Sequence, residues 1–278
     1  AGVPTMGIGG GLPLAPRYFF VSSDYGSDGN TGAFDSPFAT IGQALTAVGS
    51  QHKVGDTIVL MPGHSQTITG AGGIACATAD VNIIGLGVGT SRPTFLMDAG
   101  TAVTVTVTAA NVLWRNCVFN SGHSNVVTCF NITATGCVLD GLEFGNNTTN
   151  EDFLTPIKAT GGDNTADGLT VINCRWLTSD ADDLEMIEIT GNLNKLSVIN
   201  NLMISAGTAS PLVLSAGAKV LTQAYIAYNN VQNANTSGDM LINNGGATNT
   251  GLVCNNNVGN LDTTGPQDLG AATGLQFF

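Results

Sequence analysis

Six times along this chain a short apolar segment runs into an asparagine or a glycine and straight back into an apolar residue. The segments are VLWRNCVF (Val112 to Phe119), CVLDGLEF (Cys137 to Phe144), LTVINCRW (Leu169 to Trp176), LSVINNLM (Leu196 to Met203), YIAYNNV (Tyr225 to Val231) and LVCNNNV (Leu252 to Val258). With Asn116, Gly141, Asn173, Asn200, Asn229 and Asn256 as equivalent points, the pattern recurs every 25 to 32 residues. A period of that size belongs to chains that stack copies of one supersecondary unit instead of closing around a single centre.

Each unit carries further short apolar runs, such as TAVTVTVT before Val112, NVVTCFNIT before Cys137 and LEMIEIT before Leu196. Thr-Gly, Ala-Gly and Gly-Gly punctuate them, leaving no room for a helix within the unit. In the first run Val103, Val105 and Val107 alternate with Thr104, Thr106 and Thr108, which sends valines to one face and hydroxyls to the other. Strands this short cannot bury a face alone. Stacking equivalent strands in parallel, about 4.8 Å apart, satisfies both burial and backbone hydrogen bonding. The expectation is an all-β fold, a single-stranded right-handed parallel β-helix of about seven coils with a short N-terminal capping helix.

The recurrent residue then acquires a role. Asparagine enters the left-handed backbone region at tolerable cost and glycine more easily still, which accounts for Gly141 in the series. Stacked amides can also hydrogen-bond along the axis as a ladder. The six positions read as structural turn residues, because a turn requirement repeats with every coil.

These segments resemble the pectate-lyase-like right-handed parallel β-helix superfamily, whose interior commonly holds an asparagine ladder. The opening stretch YFFVSSDYGSDGNTGAFDSPFATIGQALTAV, followed by GDTIVLMPG, is similar to the start of many of its members. The resemblance spans about Tyr18 to Asp262 and implies a strand, a polar turn, a capping helix and then the first coil. Within the opening stretch Ser36-Pro37 reads as a helix N-cap and first turn, with Ile41, Leu45 and Val48 as its apolar stripe. Such a helix would close the open end of the stack. The chain accordingly divides into an extended arm (1–16), an opening strand, turn and helix (17–56), the β-helix (57–262) and a tail (263–278).

Charge is scarce. Asp, Glu, Lys and Arg make up 10% of the residues, and eight basic residues stand against twenty acidic ones for a net charge of −12. Nucleic acid, which needs basic stripes, and anionic membrane are excluded as partners on that balance. No run of eighteen apolar residues and no secretory signal is present, so production in a host cytoplasm is expected, with secretion as the alternative. The six cysteines, Cys76, Cys117, Cys129, Cys137, Cys174 and Cys254, read as buried thiols, since a large core needs no staples and no Cys-x-x-Cys occurs.

The acids offer two chemistries. Asp180, Asp182, Asp183, Glu185 and Glu188, with Asp140, Glu143, Asp163 and Asp167, could supply a carboxylate pair for glycoside hydrolysis, and Asp180, Asp182 and Asp183 are the candidate metal ligands. Against this, the run 180–183 falls in a loop where solvated acids are ordinary, and Glu185 and Glu188 have opposite strand parity. In the resembled family, lyases use acid-bound calcium and a basic residue. Here Arg115 and Arg175 lie on opposite sides of the repeat asparagine, and no Asp-x-x-Asp grouping stands beside either on an adjacent coil. His52, His64 and His123 share no spacing suited to a metal or a nucleophile. No catalytic set converges, and nothing calls for a cofactor.

The two ends are uncharged or nearly so and apolar. Pro4, Met6, Ile8, Leu12 and Leu14 lie in the N-terminal arm, and Leu275, Phe277 and Phe278 close the tail. Exposed in water they would be a liability, so they are expected to contact partners or cover the open end of the shaft. The resemblance extends to β-helices of tailed-bacteriophage virions, implying a non-enzymatic decoration, cement or spike protein that binds capsid or tail protein and itself, as a homotrimer. The alternative is a carbohydrate-active β-helix acting on surface glycan, such as a depolymerase, lyase or hydrolase. It is marked by carboxylates, or a carboxylate with Arg115 or Arg175, converging on an exposed groove.

Overall fold

A computed structural model describes residues 16–50, 54–70, 72–146, 151–178, 182–206, 211–215, 219–233, 239–244, 248–260, 268–271 and 275–277. Three parallel sheets run the length of the molecule, one of ten strands and two of eight, each pairing a strand with its equivalent in the next coil. This is the expected right-handed parallel β-helix. The chain passes from the ten-stranded sheet to a second sheet, then to a third, and returns. One such circuit is Leu113–Arg115, Val118–Ser121, Val126–Ile132 and back to Val138–Asp140.

Alternation builds the core. In Leu113–Arg115, Val138–Asp140 and Thr170–Ile172 the middle residues Trp114, Leu139 and Val171 point inward and are buried. Inward rows stack like with like. Phe95, Phe119 and Phe144 form a column along the second sheet, with ring centroids 5.1 and 6.2 Å apart, and Trp176 continues it by register. Trp114 meets Phe119 edge-on at 5.6 Å. Offset and edge-to-face rings add about 1 kcal/mol per pair beyond their burial. All six cysteines are free and buried.

Five strands of the ten-stranded sheet, from Leu113–Arg115 to Ala224–Ala227, sit between two one-residue left-handed turns, and the strand next to each end of that series shares one of the two rows. On one side positive φ occurs at Asp80, Asn111, Gly136, Gly168, Lys195 and Gln223; on the other at Asn116, Gly141, Asn173, Asn200, Tyr228 and Asn255. The second row corrects the repeat. Asn116, Gly141, Asn173 and Asn200 hold the turn as expected, but Asn229 and Asn256 lie one place beyond it. The pairing Ala227↔Cys254 with Ile199↔Ala227 puts Tyr228 and Asn255 in register with Asn200.

Asn229 and Asn256 belong to a separate inward row that runs Cys117, Leu142, Cys174, Asn201, Asn229, Asn256. There the amides make the ladder. Oδ1 of Asn201 accepts the Cys174 N–H, Oδ1 of Asn229 accepts from Asn201 N and Nδ2, and Oδ1 of Asn256 accepts from Asn229 N and Nδ2, all at 2.9 Å. The reason is the turn itself: a left-handed residue strands the next N–H inside the shaft, and the amide of the following coil satisfies it. Runs such as Asn200-Asn201 and Asn255-Asn256-Asn257 concealed a one-residue offset that exchanges surface for interior.

At the N-terminal end Tyr18–Val21 pairs with Thr57–Leu60 as the first strand of the large sheet. The helix spans Ile41–Ser50, four residues later than Ser36-Pro37 implied, with Ile41, Ala44 and Val48 buried. Thr40 is its cap, accepting the Gln43 N–H on Oγ1, while the Asp28 carboxylate accepts from Ala39 N, Thr40 N and Thr40 Oγ1. Residues around Phe38 are instead held extended by hydrogen bonds to Phe20 and Ser22. At the other end the sheets continue past 262. Asp268–Ala271 and Leu275–Phe277 add the last strands of the third and first sheets, and Leu275 is buried. Pro4, Met6, Ile8, Leu12, Leu14 and Phe278 lie outside the described residues.

Candidate functional site

One groove on the outer surface gathers opposite charges. It is lined by Gly89, Thr90, Arg92, Thr94, Val118, Glu143 and Arg175 and measures about 610 Å³. Its floor is an outward row of the second sheet, in which Val118, Glu143 and Arg175 are direct neighbours on successive coils. Its wall is the loop 86–92, which a left-handed Gly87 and Gly89 turn outward, leaving Val88 83% exposed. Asn116 anchors that loop by donating Nδ2 to the carbonyls of Gly85 and Gly87.

Arg92 returns from the loop and ties coils together. Its guanidinium donates to Glu143 Oε2 at 3.0 Å and to the carbonyls of Cys117 and Gly141 at 3.0 and 2.6 Å. Arg175 reaches the same Oε2 at 3.4 Å. Around the turn at Gly141, Asp140 Oδ2 accepts Arg115 Nε at 2.8 Å and Oδ1 accepts Asn173 Nδ2, with Asn200 donating in turn to Asn173. No Asp-x-x-Asp grouping was expected beside either arginine, and what stands there is a different acidic pair. Asp140-Gly-Leu-Glu143 lies on the coil between them, pairing downward with Arg115 and upward with Arg175. The signal was present, but only the register, Asp140↔Arg115 and Glu143↔Arg175, reveals which residues meet.

The other candidates disperse. Asp180 lies outside the described residues. Asp182 is exposed, whereas Asp183 is buried, accepting from Thr178 Oγ1 and Ser205 Oγ at 3.3 and 3.0 Å. These two acids face opposite ways, and the loop expected to hold solvated acids sends one of them inside. Glu185 and Glu188 separate as their parity predicts. Glu188 is outward and paired with Lys158 at 2.5 Å; Glu185 is buried and accepts Thr155 Oγ1 at 2.8 Å. Burial pushes the Glu185 carboxyl up to about 7. Asp163 and Asp167 accept the N–H groups of Asn192 and Asn194 and so fasten turns between coils. Among the described residues no three His, Cys, Asp or Glu side chains form a metal-sized group.

His52 lies outside the described residues, and His123 is exposed. His64 is buried edge-on against Phe95, and desolvation lowers it to about 4. The thiols are equally unsuited to attack: burial pushes Cys76, Cys117 and Cys174 up to about 12, so the thiolate is disfavoured.

No protein-family model and no curated protein matches the chain. Among solved structures it is similar to a rhamnogalacturonan lyase, with a TM-score of 0.44 and 14% identity over 85% of this chain and 74% of that one.

Proposed function

We propose that this β-helix is a non-enzymatic structural protein of a virion, a decoration or spike subunit held to its particle by its N-terminal end. One observation carries the reading. Tyr18, Tyr25, Phe34 and Val54, 60 to 73% exposed, all belong to the first strand, turn and helix region from which the uncharged segment 1–15 departs. Four of the nine exposed large apolar side chains among the described residues gather at this one end, which suits an attachment surface. The described lining of the groove holds one carboxylate, bound through Oε2 to two guanidiniums, which meets the carboxylate-with-Arg175 mark of the carbohydrate reading but does not make a hydrolytic pair. A hydrolytic pair needs a second carboxylate about 5 to 9 Å away. The test is mass spectrometry and labelled-antibody microscopy on purified particles whose genome encodes the chain. Detection at a fixed copy number per particle is expected, and loss of incorporation in a Tyr18→Asp, Phe34→Asp variant that still folds. Absence from purified particles overturns the reading.

The second reading is glycan recognition in the same groove, favoured by Glu143 meeting Arg92 and Arg175 on an exposed surface. Incubation with acidic and neutral polysaccharides, followed for new reducing ends and for unsaturated products, discriminates the two. Product release abolished by Arg175→Ala would establish the carbohydrate reading in place of the structural one.

A further inference from the structure

One corner of the shaft carries a residue that its backbone does not favour. The turn row Asn116, Gly141, Asn173, Asn200, Tyr228, Asn255 is asparagine or glycine at every place but one, and there Tyr228 holds a φ of 60° with 55% of its side chain exposed. Asparagine and glycine enter that conformation readily and tyrosine does not, so the turn itself does not call for a ring. Tyr225 stands three residues earlier on the strand Ala224–Ala227, and its hydroxyl lies beside Cys254 and Tyr228. Ala227 and Cys254 point outward in register with Ile199, yet they are only 0 and 9% exposed. Two small outward side chains that water hardly reaches have a cover, and the two tyrosines flank them. The rings thus rest on a backed surface and keep their other side toward solvent.

Amides bracket the rings. Asn200 precedes Tyr228 in the row and Asn255 follows it, each about 4.8 Å away along the axis, and both are exposed. Asn200 donates Nδ2 to Asn173, but its Oδ1 and the whole Asn255 amide make no hydrogen bond among the described residues. The strands that meet here, Ser197–Ile199, Ala224–Ala227 and Gly251–Cys254, carry no charge.

The geometry selects among ligands. Ala224–Ala227 is paired on both sides, so it offers no open edge to an extended peptide. The site is a corner, which does not enclose an apolar small molecule as a cleft would. A nucleobase would stack on the rings but would bring its phosphates to a chain of net charge −12. A pyranose meets every feature: its C–H face stacks on an aromatic ring, and its hydroxyls donate and accept as the flanking amides do. We infer that Tyr225 and Tyr228, with Asn200 and Asn255, form a binding site for an uncharged saccharide. Arg175 is in register with Leu202 and Asn230, so the site lies two coils beyond the charged groove, about 10 Å by strand spacing. It asks for no cleavage and depends on neither reading above.

Saturation-transfer NMR on the full chain, with a panel of neutral gluco-, galacto-, manno- and N-acetylglucosamine oligosaccharides, tests it. At least one should bind wild type, with an affinity that added salt leaves unchanged because no ion pair takes part. Tyr225→Ala and Tyr228→Ala should each weaken binding about tenfold through loss of one stacked ring, while Tyr228→Phe retains it. Tyr228→Gly removes the ring where glycine is favoured, so lost binding with an undiminished melting temperature separates recognition from folding. Arg175→Ala should leave this binding intact. If no neutral oligosaccharide binds, or if binding survives Tyr228→Gly, the inference is overturned. Binding confined to acidic polysaccharide and abolished by Arg175→Ala would leave the groove as the glycan site and overturn this one. Particle incorporation is measured separately, so the virion reading fails or survives on its own result.

Discussion

Inside the shaft Glu185 has exchanged water for one hydroxyl, that of Thr155, with Glu188 nearby and Lys158 only partly compensating. Its carboxyl stands at about 7 when folded against an ordinary value of 4.5. The folded state therefore holds this proton more tightly than the unfolded one. Stability from Glu185 is complete below pH 4.5 and falls as pH rises to 7, by about 3 kcal/mol. His64 acts in the opposite sense: lowered to about 4 from 6.5, it leaves stability complete above pH 6.5 and diminishes it on acidification. Between pH 4.5 and 6.5 the two slopes oppose. Glu185→Gln keeps an acceptor for Thr155 and removes the first slope, so its urea midpoint at pH 8 should exceed wild type while at pH 4 the two coincide. A variant no more stable at pH 8 would mean the carboxylate finds compensation inside.

The same scale governs the amide ladder. Asn229 is 1% exposed and donates to Val198 O and Asn256 Oδ1 while accepting two donors from Asn201. Asn229→Ala strands several buried groups and should cost about 3 kcal/mol by denaturant titration. Cys174 illustrates how the lower coils manage without amides. Its thiol points at the carbonyls of Leu139 and Ile172, the places that Asn201 and Asn256 amides reach in their own coils.

At the scale of the element, the left-handed turns set where each strand stops. Asparagine and glycine fill most of them, but Lys195, Gln223 and Tyr228 hold φ near 60° without that excuse. A side chain in this region costs roughly 1 kcal/mol over glycine. Tyr228 is 55% exposed and loses little packing. Tyr228→Gly should therefore raise the melting free energy by about 1 kcal/mol, and Tyr228→Val should lower it. Equal melting of the three would place the strain elsewhere. Sequence could not have singled out this tyrosine, because the neighbouring Asn229 offered a better local candidate for the turn.

At the scale of the molecule each coil contacts its neighbours and little else, so stability accumulates coil by coil. Thr170 and Ser197 are equivalent by register. Deleting residues 170–196 removes one coil in phase and should leave a cooperative, less stable shaft by circular dichroism and melting. Extending the deletion by one residue sends core side chains outward and should prevent folding. An in-phase deletion that unfolds the chain would mean the coils are not interchangeable.

The repeat, its strand alternation and the buried thiols were legible in the sequence because each is a local demand restated from coil to coil, and the capping helix was legible from its apolar stripe though not in its first residue. The parity of Glu185 and Glu188 was legible for the same reason. Register was not, since strands of three or four residues rich in Asn-Asn and Asn-Cys pairs fit with an offset of one almost equally well locally. Only stacking resolves that offset, by asking which N–H groups are stranded and which amides can reach them. The tertiary structure alone therefore separated the turn row from the amide ladder, set Asp140 and Glu143 between Arg115 and Arg175, and turned Asp183 inward.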